Sequence, residues 1–432
     1  MPEVPAEALV KVSGEHTLRG RYQVQGSKNA TLHLLAAALL ADAPVTVRGA
    51  PDIVDLVVYE LLLQHAGWHV ERDRARSTFS FEPRGGLRYE VHLGLGGLVR
   101  TTPVLAAALL ARTGRVTWPR HVGGDAFCPR PVDRHEAVMR AAGAVLETSG
   151  DIITATCPSG PRAFRVDVAT RYGASRGATV SALLLAARAR GASLIVNPSD
   201  EPEVLTTVAF LADRGVLVNR DAEGLHVSGS DWIAGGEVDV PGDRDEAATV
   251  ICAAAATGGE VRLEGIGLDE LTAGLADVLR RTGISLSAAG THGVEAKADG
   301  HLLGIEAVTG EGLLPSNAGP PLAALLTQAN GDSAITEGVY PHRNTHVTPL
   351  NLFGAHLSCA GPVVRVRGGT RLHAADASAH DIRTAAAVVI AALAAPGTSL
   401  LQVGHPVWRG YQHLTNGLQA LGADLTVEHQ ED

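Results

Sequence analysis

The chain has 432 residues, of which 45% are hydrophobic and only 4% aromatic, and its formal net charge is -10. This length exceeds what one ordinary hydrophobic core occupies, so two or three domains are expected. The negative charge and the scarcity of aromatic rings argue against nucleic acid and anionic membrane surfaces as partners.

The N-terminal sequence lacks a basic stretch followed by an apolar one, and the longest apolar runs, such as LHLLAAALLA, are too short to cross a bilayer. The cysteines show neither metal-ligand spacing nor a C-x-x-C motif: Cys128, Cys157, Cys252 and Cys359. We therefore expect a cytoplasmic protein with no metal site and no disulfide framework.

One pattern recurs six times along the chain, at a period of about 70 residues. An Ala/Leu-rich helix follows a polar turn, and a β-branched strand, a second helix, a Gly-Ala break and another strand come after it. The copies lie in 27–70, 99–147, 174–218, 243–286, 316–357 and 381–425. A unit of this size can bury its own helix face, so we predict β-α-β-α-β repeats gathered three to a domain.

A cationic residue stands at or near the start of the first helix in five of these repeats: Lys28, Arg100, Arg176, Arg244 and Arg383. Cations are normally favoured at the opposite end of a helix. Placed here, they predict sites where helix N-termini and side chains receive anions together. The alternative is ion pairing with neighbouring carboxylates, which we expect for Arg244 and less for Lys28, Arg100 or Arg383.

Four motifs, in this order, give the chain a family resemblance: GSKNATLHLLAAALL, GGDAFCPRPVDRH, DEPEV and WRGYQHL. Together with the six repeats they resemble the enolpyruvyl transferase family over nearly the whole chain. The resemblance implies an α/β fold, a two-domain inside-out α/β barrel with three repeats per domain. It implies one domain at 27–238, which carries the Asp125 loop, a second at 1–26 plus 239–432, and an active site in the interdomain cleft.

The resemblance also implies a reaction that needs no metal or redox cofactor. The methylene carbon of phosphoenolpyruvate is protonated, a hydroxyl of a uridine nucleotide attacks the adjacent carbon, and phosphate leaves. Such chemistry requires cations for phosphate and carboxylate, a proton donor for the methylene and a base for the hydroxyl. The partners implied are these two small molecules, with no nucleic acid, membrane or obligate protein partner.

The family positions that bind the substrates are largely filled in this sequence. Those for phosphate hold Lys28, Arg130 and Arg409, and those for carboxylate hold Arg343 and Arg383. A further arginine of the cleft corresponds to Arg100, and a polar ligand of the acceptor to Asn29. The segment that cradles uracil corresponds to Arg130, Pro131, Val132 and Asp133, and the pyrophosphate loop to Ser175, Arg176 and Gly177.

The usual proton donor of the family is a cysteine, and alignment of the glycine pair places Asp125 at that position. Cys128 is displaced from it by three residues, so we interpret it as a loop residue. A carboxyl group whose pKa is raised in a desolvated site can protonate an enol as a thiol does. Family members with aspartate here escape fosfomycin, which alkylates the thiol, and the same resistance is expected of this protein.

The acceptor side departs from the family. Asn317 stands where the family has an aspartate that acts as base, and an amide cannot accept that proton. Asn317 can still orient the hydroxyl, with Asp125, Glu203 or Asp381 as base through a water. An expected lysine is replaced by Val54 and an expected aromatic residue by Val104.

Three functions remain open from the sequence. The acceptor is UDP-N-acetylglucosamine, as in peptidoglycan biosynthesis, or it is UMP or another nucleotide, as in nucleoside antibiotic biosynthesis. A third possibility, favoured by Asn317 alone, is a descendant that binds these ligands without catalysis.

Replacement of Asp125 tests the proton donor. Asp125→Asn should abolish turnover while phosphoenolpyruvate still binds, because the amide keeps the shape and loses the acid. Cys128→Ser should stay active, and the unaltered enzyme should resist fosfomycin because a carboxylate is a far poorer nucleophile than a thiolate. Asp125→Cys should then gain a fosfomycin adduct, detected by peptide mass. Labelling of Cys128 in the unaltered enzyme, with Asp125→Asn still active, would make Cys128 the donor.

Overall fold

The computed structural model describes residues 8–82, 86–124, 127, 130–298 and 300–429. These residues form two compact units. Unit 1 contains residues 8–26 and 242–429 together with Phe127, and unit 2 contains residues 27–124 and 130–241, each within the described ranges. The predicted boundary after residue 238 falls inside a strand, Gly236–Asp239, which belongs to unit 2.

The helices, in chain order, are α1 Lys28–Ala38, α2 Val54–His65, α3 Leu93–Gly96, α4 Thr102–Thr113, α5 Asp133–Ala141, α6 Arg176–Ala187, α7 Pro202–Ala212, α8 Arg244–Ala256, α9 Ala273–Arg281, α10 Gly319–Leu326, α11 Val347–Leu352, α12 Ile382–Ala394, α13 Gly404–Gly410 and α14 Leu414–Ala420. A 3₁₀ turn, Ser316–Ala318, leads into α10.

The strands are short. They are β1 Ala8–Ser13, β2 Arg19–Gln23, β3 Val45–Arg48, β4 His69–Asp73, β5 Thr78–Glu82, β6 Arg115–Pro119, β7 Val145–Ser149, β8 Ile152–Thr156, β9 Arg165–Asp167, β10 Ala169–Thr170, β11 Gly173–Ala174, β12 Ala192–Val196, β13 Leu217–Asp221, β14 Gly224–Ser228, β15 Gly236–Asp239, β16 Glu260–Glu264, β17 Ile284–Ala288, β18 Gly293–Ala298, β19 Glu306–Val308, β20 Ser333–Thr336, β21 Leu357–Ala360, β22 Val363–Val366, β23 Ala377–Ser378, β24 Thr398–Gln402 and β25 Asp424–His429.

Unit 2 contains three mixed sheets with the orders β15-β3-β5-β4, β6-β8-β7 and β13-β14-β12-β9, and a small ribbon, β10-β11. In the first and third sheets the pair at one edge is parallel and the other two pairs are antiparallel. In the second sheet Glu90 forms the equivalent parallel bridge to Thr117 of β6. The three sheets therefore share one topology, as a repeated unit requires.

Unit 1 repeats this topology in the sheets β17-β18-β16-β2, β19-β20-β22-β21 and β23-β24-β1-β25. Two of these sheets include strands from the start of the chain. Strand β2 lies parallel to β16, and β1 lies between β24 and β25, with Val10 opposite both Leu401 and Val427. Unit 1 is therefore discontinuous in sequence.

The first helix of each repeat lies in the core. Residues Ala30–Ala38 of α1 are all buried, and α6, α8, α10 and α12 are buried along nearly their whole length. A helix that is apolar on every side needs protein on every side. Accordingly, α4 contacts α1 and α6 in unit 2, and α8, α10 and α12 contact one another in unit 1, with the sheets and second helices outside them.

The structure adds one strand to the predicted repeat. Apart from the β10-β11 ribbon, the third repeat, for example, runs β9-α6-β12-α7-β13-β14, so it is β-α-β-α-β-β rather than β-α-β-α-β. The extra strand forms a hairpin with the preceding one through a tight turn at Gly224, where φ is +144°. Within the described residues, none of the helices is both long enough and apolar enough to cross a membrane.

Candidate functional site

The helix starts that the sequence marks with cations are found in the structure. Lys28, Arg176 and Arg244 are the first residues of α1, α6 and α8, and Arg383 is the second residue of α12. Arg100 precedes α4 by two residues. The preceding residue caps four of these helices by accepting backbone hydrogen bonds: Ser27, Ser175, Asp243 and Asp381.

Lys28, for which ion pairing with a neighbouring carboxylate was expected less than for Arg244, pairs with a carboxylate from another helix. Its Nζ lies 2.6 Å from Oδ2 of Asp55, and the side chains are 12% and 7% exposed. Asp55 is in the first turn of α2, directly after Val54, the position where a lysine was expected. A largely buried carboxylate needs a cation, and Lys28 at a helix N-terminus needs a counter-charge, so each residue accounts for the other.

Arg100 and Arg130 lie together in unit 2. The Nη2 atom of Arg100 donates to the carbonyl of Pro131 at 2.9 Å and so holds the Arg130–Asp133 segment. A Cβ atom at Gly124 would lie 2.3 Å from Nη2 of Arg130 and 3.0 Å from Cβ of Arg100, and φ at Gly124 is +106°. Only glycine allows this approach.

The predicted pyrophosphate loop, Ser175 to Gly177, forms the start of α6. Ser175 Oγ accepts from the Ala178 N–H at 3.3 Å, and Arg176 lies 3.8 Å from a carboxylate oxygen of Glu203. A Cβ atom at Gly177 would lie 2.8 Å from Cε1 of His135, which is buried on α5. The His135 ring therefore joins the loop to the helix that begins at Asp133.

His135 is neutral in this position. Its Nδ1 lies 2.8 Å from Ser181 Oγ of α6, and burial lowers the pKa of its imidazole to about 3 because the charged form would lose its hydration. The nearby Arg100 guanidinium lowers the same pKa further. His135 was not predicted from the sequence, since nothing in the local pattern distinguishes it from a surface histidine.

In unit 1, Arg383 is also ion-paired, with a carboxylate distant in sequence. The side chain is buried; Nη1 donates to the Tyr411 hydroxyl at 2.8 Å and Nη2 to Oδ2 of Asp245 at 3.1 Å. Asp381 caps α12 by accepting from the N–H groups of Arg383 and Thr384, at 3.1 and 2.9 Å. The guanidinium is thereby fixed at the start of a buried helix.

Arg343 lies in the same unit and is 3% exposed. Its Nη1 donates to Ser316 Oγ and to Asn317 Oδ1, both at 2.9 Å, and the Phe127 ring stacks over its guanidinium at 4.2 Å. Its Nε and Nη2 are buried without a hydrogen-bond partner among the described residues. Unmatched donors of this kind are unusual in an interior and fit an anionic ligand.

The remaining predicted residues are placed as follows. Asn29 is the second residue of α1 and Arg409 the sixth of α13, and both are half-buried. Val104 is buried in α4, where it belongs to the core. Asp125 and Cys128 lie outside the described residues, so the prediction for the proton donor stays a prediction.

One group of side chains with metal-ligand chemistry occurs in the described part of the chain, at the β13–β14 turn. There Asp221 accepts from the N–H groups of Glu223 and Gly224 and lies 2.9 Å from His226. The Asp221 carboxylate therefore already has partners, and the turn is exposed.

Comparison with known proteins identifies the family of the chain. The sequence model of the EPSP synthase (3-phosphoshikimate 1-carboxyvinyltransferase) family matches residues 12–430. UDP-N-acetylglucosamine 1-carboxyvinyltransferase 3 of Symbiobacterium thermophilum is 34% identical, over 98% of each chain. A UDP-N-acetylglucosamine 1-carboxyvinyltransferase of Thermus thermophilus is 35% identical, over 96% of each.

Solved structures show the same fold. The enolpyruvyl transferase NikO from Streptomyces tendae superposes with a TM-score of 0.89 at 27% identity, over 99% of this chain and all of NikO. EPSP synthase from Acinetobacter baumannii, at 18% identity, superposes with a TM-score of 0.78 over 98% of this chain and supports the fold alone. Fold and sequence together define an enolpyruvyl (carboxyvinyl) transferase with the inside-out α/β architecture. The chain belongs to the EPSP synthase (3-phosphoshikimate 1-carboxyvinyltransferase) family.

The His135 ring should make a side chain at position 177 destabilising. Gly177→Ala should lower the free energy of unfolding by about 1–3 kcal/mol, because its Cβ would overlap a ring that the core holds in place. Adding His135→Ala should recover part of this loss, so that the two changes are non-additive in urea unfolding. Strict additivity would show that the ring does not restrict residue 177.

Glu246 should make stability depend on pH. It is 1% exposed, and burial raises the pKa of its carboxyl from 4.5 to about 8, since Tyr22 and the Gln25 N–H solvate the charge only in part. Folding therefore takes up a proton in this range, and the free energy of unfolding falls as pH rises from 4.5 to 8. Glu246→Gln should match the unaltered protein near pH 4.5 and be the more stable one at pH 8.

Urea unfolding at several pH values measures this difference. Glu295→Gln, which changes an exposed glutamate on β18 of the same unit, is the matched control and should leave the pH profile unchanged. Parallel profiles for Glu246→Gln and the unaltered protein would contradict the assignment.

Proposed function

We propose that this enzyme transfers the enolpyruvyl group of phosphoenolpyruvate to a hydroxyl of a uridine nucleotide and releases phosphate. UDP-N-acetylglucosamine is the first acceptor to consider, because two relatives named for that acceptor share 34% and 35% identity with the chain over almost its full length.

The observation that carries the proposal is the buried Arg343 guanidinium and its unmatched donor atoms. An arginine guanidinium keeps its charge even when buried, and here two of its donor atoms have no partner in the described part of the chain. The planar fork suits a carboxylate, which it can bind through two parallel hydrogen bonds. Arg383, fixed beside it in the same unit, adds positive charge, as phosphoenolpyruvate with its carboxylate and phosphate requires.

Unit 2 supports the nucleotide half of the proposal. The start of α6, with Ser175, Arg176 and Gly177, combines backbone N–H groups and a cation, a combination that suits a pyrophosphate. The Arg130–Asp133 segment is held by Arg100 through the Pro131 carbonyl. Because a proline removes one donor and fixes one torsion angle, the segment offers a stiff backbone edge to a flat base.

UMP or another nucleotide is the second candidate acceptor. The residues that depart from the family, Val54, Val104 and Asn317, all lie at positions expected to serve the acceptor side, whereas the phosphoenolpyruvate positions are filled. A shorter or different sugar portion would explain this pattern.

We further propose that the reaction needs no metal or redox cofactor and takes place in the cytoplasm without an obligate protein partner. The chemistry asks only for proton transfer and for stabilisation of anions, and arginine, lysine and carboxylate side chains supply both.

A phosphate-release assay tests the proposal. The enzyme and phosphoenolpyruvate are incubated with UDP-N-acetylglucosamine, UMP or shikimate 3-phosphate, and phosphate should appear with a uridine nucleotide. Arg343→Ala should raise the KM for phosphoenolpyruvate about 10- to 100-fold, because a charge-assisted contact contributes about 1.5–3 kcal/mol.

The matched control is Arg281→Ala, which removes an exposed arginine of α9 in the same unit and should leave the kinetics unchanged. Phosphate release with shikimate 3-phosphate alone would refute the uridine acceptor. Binding of the ligands without phosphate release from any acceptor would show that the protein has lost catalysis.

A further inference from the structure

Four side chains of unit 1 form a continuous row of hydrogen bonds. Arg343 Nη1 donates to Asn317 Oδ1 at 2.9 Å, Asn317 Nδ2 donates to Asp245 Oδ2 at 2.6 Å, and Arg383 Nη2 donates to the same oxygen at 3.1 Å. An amide and a carboxylate thus lie between two arginines. The sequence separates Asp245 from Asn317 by 72 positions, so this contact could not be anticipated from the sequence.

The row explains why residue 317 is an amide. Its oxygen faces a guanidinium and its nitrogen faces a carboxylate, and an amide offers both the acceptor and the donor that these contacts need, whereas an ionised carboxylate only accepts. An aspartate at 317 would bring two carboxylates within 2.6 Å of each other, where they could not both be ionised. The contacts therefore suit one carboxylate and one amide.

Asp245 is well placed to stay ionised. It is 4% exposed and is the second residue of α8, and its N–H donates to the Asp243 cap at 2.9 Å. The N-terminal end of a helix stabilises negative charge, and the Arg383 guanidinium and Asn317 amide both bind its Oδ2. An ionised carboxylate is the form that can accept a proton.

The other carboxylates considered as base are less suitable. Asp381 uses Oδ1 to cap α12 and accepts from the Thr384 hydroxyl at Oδ2, at 2.6 Å, so both oxygens serve the helix. Glu203 lies in unit 2 and pairs with Arg176. Asp125 lies outside the described residues.

We propose that Asp245 is the general base of this enzyme, and that Asn317 is the positioning residue that holds its carboxylate. This inference rests on the proposed function. As the acceptor oxygen bonds to C2 of phosphoenolpyruvate, the hydroxyl O–H bond breaks and its proton passes to Asp245, directly or through one water. The C2–C3 π electrons meanwhile take a proton from the enzyme's acid at C3. The conjugate base of that acid then takes a proton back from C3, the C2–O bond to phosphate breaks, and the C2–C3 double bond is restored.

A weak base is sufficient for this step. The carbon under attack gains positive charge when C3 is protonated, so the hydroxyl becomes more acidic as the new C–O bond forms. A carboxylate held between cations can take the proton at that stage.

Exchange of the two side chains tests the proposal. Asp245→Asn can accept the same two hydrogen bonds through its amide oxygen but loses the charge that offsets Arg383, so a purely structural role predicts a lower free energy of unfolding with kcat largely kept. A base predicts a fall in kcat of about a hundredfold or more, with the KM for phosphoenolpyruvate within about threefold. Asn317→Asp should also have a lower kcat than the unaltered enzyme. The double variant D245N/N317D restores one carboxylate and one amide, and its kcat should exceed that of either single variant at least tenfold.

Unfolding provides a readout independent of turnover. Asn317→Asp should be less stable than the unaltered protein at pH 8, and the difference should shrink toward pH 5 as the carboxylate pair takes up a proton. The double variant should resemble the unaltered protein at both pH values. If the difference in the free energy of unfolding between Asn317→Asp and the unaltered protein does not change with pH, the proposed pairing of residues 245 and 317 is wrong.

The base assignment fails if Asp245→Asn retains kcat within threefold, or if the double variant is no more active than Asp245→Asn. Its failure is distinct from that of the proposed function. If shikimate 3-phosphate is the one acceptor turned over, the uridine acceptor is refuted. The same variants then test Asp245 as base with shikimate 3-phosphate as acceptor. If no acceptor is turned over, both the function and the base are wrong.

Discussion

Complete burial of the first helix of each repeat is the constraint on which the remaining structure depends. A helix such as α1, with Ala30–Ala38 all buried, has no side exposed to water. Charged groups therefore lie near the helix ends, where backbone N–H groups have no partner within the helix. The N-terminal ends carry the caps and the cations, and these include residues proposed here to bind the anionic substrates.

A cation at a helix N-terminus is unfavourable unless other groups offset it. Here the offset comes from carboxylates far away in sequence: Asp55 for Lys28, Glu203 for Arg176 and Asp245 for Arg383. Each pair keeps a positive group close to the N-terminal end of a helix without leaving it as an isolated buried charge. The cations are thereby held in fixed positions before any anion binds, which reduces the cost of ordering them at that moment.

The sequence predicted the family, the fold and the helix starts, because these depend on local patterns: Ala/Leu-rich runs, Ser or Asp caps, and motifs of consecutive residues. It did not predict which charges would pair. For Lys28 and Arg383 only neighbouring carboxylates were considered as partners, because Asp55 and Asp245 are distant in the chain and acquire their role only through folding. The added strand of each repeat was missed for a related reason, since a five-residue strand such as β14 has too few positions for a clear alternation.

The position of β1 bears on how the protein is made. This strand lies between β24 and β25, so residues from the beginning of the chain form the middle of a sheet whose other strands come last. On the ribosome the unit from residue 27 to residue 241 has all its strands long before that sheet can close. Unit 1 must keep an apolar strand, with Val10 and Val12 destined for the core, unpaired until β24 and β25 emerge. Contacts that span almost the full length of a chain form slowly. Nascent chains of this architecture therefore expose a lone strand edge for most of their synthesis, a stage at which chaperones would have the most to protect.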